Sequence, residues 1–140
     1  MKYWDTSALV PLLSNEPESA ARDRLLRSDP VIAVWWGSRV ECVAALVRKD
    51  RECGSPSGLL EAAIERLEML ARSWIEIQPT DRLRRTAERC LRVHALRSAD
   101  ALQLAAALEA ARNDPRALPF VCADAKLRAA AAREGFPTIA

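Results

Sequence analysis

The chain has 140 residues, half of them apolar and 29% charged, with a formal net charge of +2. This balance excludes a disordered polymer, and the length fits one domain spanning 1–140 with a single core. No 18-residue apolar run is present, which argues against a membrane span, and the opening MKYWDTS lacks the apolar stretch of a secretory signal, so the cytoplasm is the expected compartment. The cysteines at 42, 53, 90 and 122 form no C-x-x-C pair, and His94 is the sole histidine. A zinc site is therefore not expected, and the thiols read as small core groups in a reducing environment. Of the 21 basic residues, 18 are arginine, the better fork for phosphate oxygens, although an alanine-rich and arginine-rich composition also follows from a GC-rich genome.

In chain order, short apolar runs at 2–4, 31–34 and 120–122 predict strands, with weaker candidates at 74–77 and 137–139. Helical spacing occupies 19–26, 38–51, 57–72, 81–95, 99–112 and 125–134. Breaks are marked by Asn15-Glu16-Pro17, Asp29-Pro30, Gly54-Ser55-Pro56, Gln78-Pro79, Asn113-Asp114-Pro115 and Gly135. Strands alternating with helices predict an α/β fold with a parallel sheet covered on both faces.

The 81–95 segment can be read in more detail. At about 100° per residue, Leu83, Ala87, Cys90, Leu91 and His94 share one side, while Arg82, Arg85, Arg89 and Arg92 lie opposite. The first set predicts a core face, with His94 a core or interface histidine. The second predicts either a solvated face or a track for RNA. The run 8–13 and the pair Trp35-Trp36 likewise fit either the core or a partner surface.

Four acids stand where amphipathic patterning does not require them. Asp5 ends the first strand, Glu41 lies early in the helix after the second, Asp100 opens the apolar helix SADALQLAAALEA, and Asp124 follows FVCA. Each has a structural alternative. Asp5 and Asp124 are good N-caps, Asp100 complements a helix dipole behind a Ser98 cap, and Glu41 fits a surface pair with Arg39 or Arg48. Taken together, strand carboxyl ends and helix amino ends share one edge of such a sheet, so the acids converge there. Crowded carboxylates repel, and hard divalent cations relieve that repulsion, preferring oxygen ligands to nitrogen or sulfur. An acidic Mg²⁺ or Mn²⁺ site without a histidine, thiol pair or glycine-rich phosphate loop suits phosphodiester hydrolysis by metal-activated water. Thr6 and Ser7 are then free to take over capping at the first helix.

The blocks DTSALV with Asp5, GSRVECVAAL with Glu41, SADALQLAAA with Asp100 and FVCADAKLRAAAAREGF with Asp124 resemble the four acidic blocks of PIN-domain ribonucleases. In order and spacing they are most similar to the VapC-type toxins of type II toxin-antitoxin systems, over essentially the whole chain. The resemblance implies a PIN-like three-layer α/β/α sandwich with a central parallel sheet and a Mg²⁺- or Mn²⁺-dependent endoribonuclease. It implies that Asp5, Glu41, Asp100 and Asp124 are the catalytic metal ligands, with Ser7 supporting Asp5. It further implies an RNA substrate, a homodimer and a cognate VapB-like antitoxin whose tail enters the active-site groove. Two departures stand out: Cys122 occupies a position where many members have threonine, and Lys126 leaves no further acid directly after Asp124. Two rival functions are a catalytically inactive PIN-like module that binds RNA or protein, and a small-substrate phosphatase. The second lacks a D-x-D pair, since Thr6 and Ser7 follow Asp5.

Overall fold

Five short strands alternate with helices, and the reason lies in which side chains each element must bury. In the computed structural model, which describes residues 1–14, 16–54, 58–112 and 114–140, the strands are β1 (Lys2–Trp4), β2 (Ile32–Trp35), β3 (Ile75–Ile77), β4 (Phe120–Val121) and β5 (Thr138–Ile139). They form one all-parallel sheet in the order β3-β2-β1-β4-β5. The helices are α1 (Thr6–Leu13), α2 (Ser19–Ser28), α3 (Ser38–Cys53), α4 (Leu59–Ala71), α5 (Asp81–Val93), α6 (Ser98–Ala110) and α7 (Ala125–Arg133), with a 3₁₀ turn at Pro115–Ala117.

The two-residue period of the strands sorts their side chains between two cores. Tyr3, Ala33, Trp35 and Phe120 point to one face, where they meet apolar residues of α5, α6 and α7. Trp4, Ile32, Val34 and Val121 point to the other, against α1, α3 and α4. The result is the expected three-layer α/β/α arrangement with β1 at its centre. Tyr3 stacks on Phe120 at 5.2 Å between ring centroids, and Phe120 meets Phe136 at 5.7 Å, an aromatic column within the first core. Helix α6 is apolar nearly all round, with Leu104, Ala105, Ala106 and Ala107 fully buried, so it lies inside the domain rather than on its surface.

The strands and helices α2 to α7 match their expected positions, with ends shifted by a few residues, and α1 occupies the segment after Asp5 for which only a helix start was expected. The run 8–13 is the buried side of α1, which carries Pro11 within it. Of the tryptophan pair, Trp35 is core and Trp36 is half exposed. Helix α5 stops at Val93 rather than continuing to 95, and His94 is its C-cap residue. Leu91, expected on the core face, is 42% exposed, because it sits at the edge of the apolar arc that Leu83, Ala87 and Cys90 centre on the core. The expected breaks at Asn15, at Ser55-Pro56 and at Asn113, and the helix start at Ser57, lie outside the described residues. No described helix is long and apolar enough to cross a membrane.

His94 is buried as expected, and Glu134 at the end of α7 explains how. Its Nε2 lies 2.7 Å from Glu134 Oε1, while Arg89 of α5 donates to both oxygens of the same carboxylate at 3.0 and 2.7 Å. The arginine beside Glu134 holds its carboxyl below the usual range, with burial opposing. One member of the basic stripe is therefore a tie between α5 and α7, whereas Arg82, Arg85 and Arg92 remain exposed.

Gly37, the N-cap residue of α3, is required for space and not for backbone conformation, since its φ is −73°. A β-carbon there would lie 2.3 Å from Nε1 of the buried Trp35 ring. A rigid indole held in the core cannot yield that distance without repacking. Gly37→Ala is therefore expected to lower unfolding free energy by about 1–3 kcal/mol in denaturant titration, and a wild-type midpoint would refute the steric argument.

Candidate active site

The sheet order changes direction beside β1: β2 and β3 lie on one side, β4 and β5 on the other. At such a switch point the connections leaving adjacent strands diverge to opposite faces and open a crevice at the strand carboxyl ends. Asp5 follows β1 and Asp124 closely follows β4, so the two flank this crevice. Glu41 sits in the first turn of α3 after β2, and Asp100 in the first turn of α6.

Asp5 is only 5% exposed and its extended backbone makes it the N-cap of α1. Its Oδ2 accepts three donors: the Ser7 amide at 2.9 Å, the Ser7 hydroxyl at 2.5 Å and the Cys122 thiol at 3.5 Å. Capping is thus done by Asp5 itself and not by Thr6 or Ser7. Burial raises the Asp5 carboxyl above its ordinary pKa; the Ser7 and Cys122 donors oppose this, and the neighbouring Glu41 charge adds to it. Ser7 also accepts the amides of Ala123 at 2.9 Å and Asp124 at 3.4 Å, tying the turn after β1 to the turn after β4. Cys122 completes this knot, its thiol pushed up to about 12 by burial and then by the Asp5 charge. Such a thiol is protonated at neutral pH and serves as a weak donor rather than a nucleophile.

Glu41 is half-buried and pairs with neither Arg39 nor Arg48; Arg39 reaches Glu68 instead. Its Oε2 accepts the Thr6 hydroxyl at 2.6 Å and the Gln103 amide at 2.8 Å. Asp124 caps α7, its Oδ1 accepting the amides of Lys126 and Leu127, both at 2.8 Å. Asp100 bends back to its own helix, Oδ2 accepting the Arg97 amide at 3.3 Å; Arg97, not Ser98, occupies the cap position.

One regularity joins the four. In each acid a single oxygen carries all the protein hydrogen bonds, Oδ2 in Asp5 and Asp100, Oε2 in Glu41 and Oδ1 in Asp124, and among the described residues the second oxygen receives no donor. Asp5 and Glu41 are close enough to affect each other electrostatically. Among the described residues, however, no three carboxylate, thiol or imidazole groups are gathered into a preassembled cation cage. The donor set itself is all oxygen, and the burial cost of an Asp5 carboxylate is one that a cation would relieve, which suits Mg²⁺ or Mn²⁺ chemically. Glu41 lines a groove of about 510 Å³ together with Thr6, Ser7, Ala45, Arg48 and Lys49.

Sequence reasoning passed over Thr6 and Gln103 as partners of Glu41. The available signal was a lone amide inside SADALQLAAALEA, three residues after Asp100 in an otherwise apolar helix interior.

The sequence model of the PIN domain matches residues 2–132. Among solved structures, a toxin-antitoxin complex from Klebsiella pneumoniae aligns with TM-score 0.66 and 18% identity, covering 100% of this chain and 97% of that one. The sarcin-ricin loop cleaving toxin VapC20 of Mycobacterium tuberculosis aligns with TM-score 0.66 and 20% identity, covering 97% and 96%. FitAcB from Neisseria gonorrhoeae aligns with TM-score 0.67 and 14% identity, covering 100% and 97%. No curated protein matches the chain significantly.

The raised Asp5 carboxyl has a consequence for stability. A carboxyl whose folded pKa lies above its unfolded value contributes stability that is complete below the ordinary carboxylate range and is lost as pH rises through the raised value. Asparagine keeps an oxygen for the Ser7 amide and carries no charge to lose. Asp5→Asn is therefore expected to make the metal-free protein more stable than wild type near pH 8 in denaturant unfolding, with the gap closing toward about pH 4. A gap that is the same at both pH values would count against a buried, desolvated charge.

Proposed function

Because the chain belongs to the PIN domain family, we propose that it is a Mg²⁺- or Mn²⁺-dependent endoribonuclease acting in the cytoplasm as the toxin of a toxin-antitoxin pair. The observation that carries this reading is Asp5: a carboxylate buried at the carboxyl end of the central strand, close to Glu41, which lines a groove, and with one oxygen that receives no donor among the described residues. Two fold neighbours, a toxin-antitoxin complex and a sarcin-ricin loop cleaving toxin, support the biological setting.

In this reading Asp5, Glu41, Asp100 and Asp124 hold the divalent ion through their undonated oxygens. When bound, the ion supplies a water of lowered pKa and charge stabilisation at the scissile phosphate and leaving oxygen, so that cleavage leaves a 5′-phosphate and a 3′-hydroxyl. Ser7 fixes the orientation of Asp5 and, through its bonds to the Ala123 and Asp124 amides, fixes the distance between the Asp5 and Asp124 turns. The groove beside Glu41 receives the RNA strand, Arg48 offering a fork for its phosphates. The partners of this reading are an RNA substrate, a VapB-like antitoxin whose tail occupies the groove, and a second copy of the chain.

A second reading has one observation in its favour. Asp5 and Asp124 cap helices and Asp100 bonds its own helix terminus, the contacts of an inactive RNA- or protein-binding module. Cleavage assays separate the two. Purified protein is expected to cut RNA with Mn²⁺ or Mg²⁺ and to stop when the ion is chelated. Asp100→Asn or Asp5→Asn is expected to lose about 100-fold or more in rate, the scale of losing several kcal/mol of metal-borne stabilisation. RNA retained without cleavage, indifferent to metal and to both substitutions, would establish the binding module instead.

A further inference from the structure

Gln103 is a buried amide with several polar partners, one of which is Glu41, an acid assigned above to the metal. It is 1% exposed and lies one turn beyond Asp100 in α6. Its Oε1 accepts the Tyr3 hydroxyl at 2.8 Å, and its Nε2 lies 2.8 Å from Glu41 Oε2, 3.2 Å from Ser38 Oγ and 3.1 Å from Thr6 Oγ1.

The chemistry of the neighbours leaves the amide one orientation. The Tyr3 hydroxyl donates its proton to the amide oxygen. The carboxylate oxygen Oε2 of Glu41 accepts from the amide nitrogen. The oxygen must therefore face Tyr3 and the nitrogen must face Glu41. One N–H is committed to Glu41, and the other is shared between the Ser38 and Thr6 hydroxyl oxygens. Thr6 passes its own proton to Glu41 Oε2, so that oxygen is gripped from β1–α1 on one side and from α6 on the other. Both donors fall on Oε2, which turns Oε1 away from them.

We infer that Gln103 is a positioning residue: by fixing Glu41 through Oε2, it sets the direction in which Oε1 is presented to a divalent cation. The inference rests on Glu41 being a metal ligand. A hydrogen-bond donor behind a ligating carboxylate orders the ligand before the ion arrives, and losing such a partner typically weakens metal binding by about 10- to 100-fold. The arrangement also couples the ligand to the fold, because the same amide answers to Tyr3 in the central strand.

The test is a double-mutant cycle on the full chain, with Mn²⁺ affinity read from the electron paramagnetic resonance signal of free Mn²⁺. Gln103→Met, close in length and without polar atoms, is expected to bind Mn²⁺ about tenfold more weakly than wild type. In a Glu41→Ala background the same change is expected to add nothing, because its effect acts through Glu41. A merely structural role would not produce that non-additivity. Gln103→Glu keeps the volume and the acceptor for Tyr3 but replaces the donor to Glu41 with an oxygen; it should lose at least as much affinity, and it carries the test if the methionine variant does not fold by circular dichroism. Wild-type affinity in folded Gln103 variants, or an equal loss repeated without Glu41, overturns the inference alone. Mn²⁺ binding absent from wild type, or unchanged in Glu41→Ala, overturns the ligand role of Glu41 and the inference with it.

Discussion

Burying the Asp5 carboxylate is the constraint on which the rest of the site depends. A charge removed from water at the end of the central strand is costly unless hydrogen bonds or an opposite charge compensate it. Here three donors converge on one oxygen, and the carboxyl pKa is still raised. Compensation is therefore partial. The Ser7 hydroxyl that supplies one donor simultaneously accepts two amides from the turn after β4, so part of the arrangement that steadies Asp5 also stitches β1 to β4 where the sheet reverses its order.

That coupling explains why the layers matter to the chemistry. Glu41 belongs to α3, which covers one face of the sheet, and Gln103 to α6, which covers the other. They meet at the carboxyl edge, where the strands end and no longer separate the two faces. Tyr3 spans the distance from the aromatic column to this edge, so packing against Phe120 and the hydrogen bond to Gln103 are two ends of one ring.

Much of this was legible in the sequence for a physical reason: strands buried on both faces read as short apolar runs, and β1, β2 and β4 fall where those runs lie. The acids were visible because charge after a buried strand needs an explanation. Less visible were features fixed by tertiary contact. Leu91 has the hydropathy of a core residue and the angular position of a margin. The start of helix α1 was expected after Asp5, but its extent was not, because Pro11 and an apolar run too short to show a period obscure it. Gln103 was hidden because periodicity counts an amide in an apolar helix as noise, whereas its significance comes from Tyr3, Thr6 and Glu41, which lie 100, 97 and 62 residues away along the chain. The surface alternatives offered for Glu41 failed because they considered only its own helix.

The choice between helix cap and metal ligand, which the sequence poses as exclusive, dissolves once oxygens rather than residues are considered. A carboxylate has two oxygens and about four lone-pair sites. Asp5, Asp100 and Asp124 each use one oxygen for a helix terminus, and Glu41 uses one for Thr6 and Gln103. These structural bonds stabilise the helix starts in the absence of an ion and fix each side chain against rotation. The remaining oxygens are what a cation requires, and they are held by groups that need not be broken for it to bind. Under the proposed function, a cap would be a means of aiming a ligand. Among the described residues the acids form no preassembled cage; each is anchored by its own bonds, three of them at separate helix termini, which keeps the like charges apart.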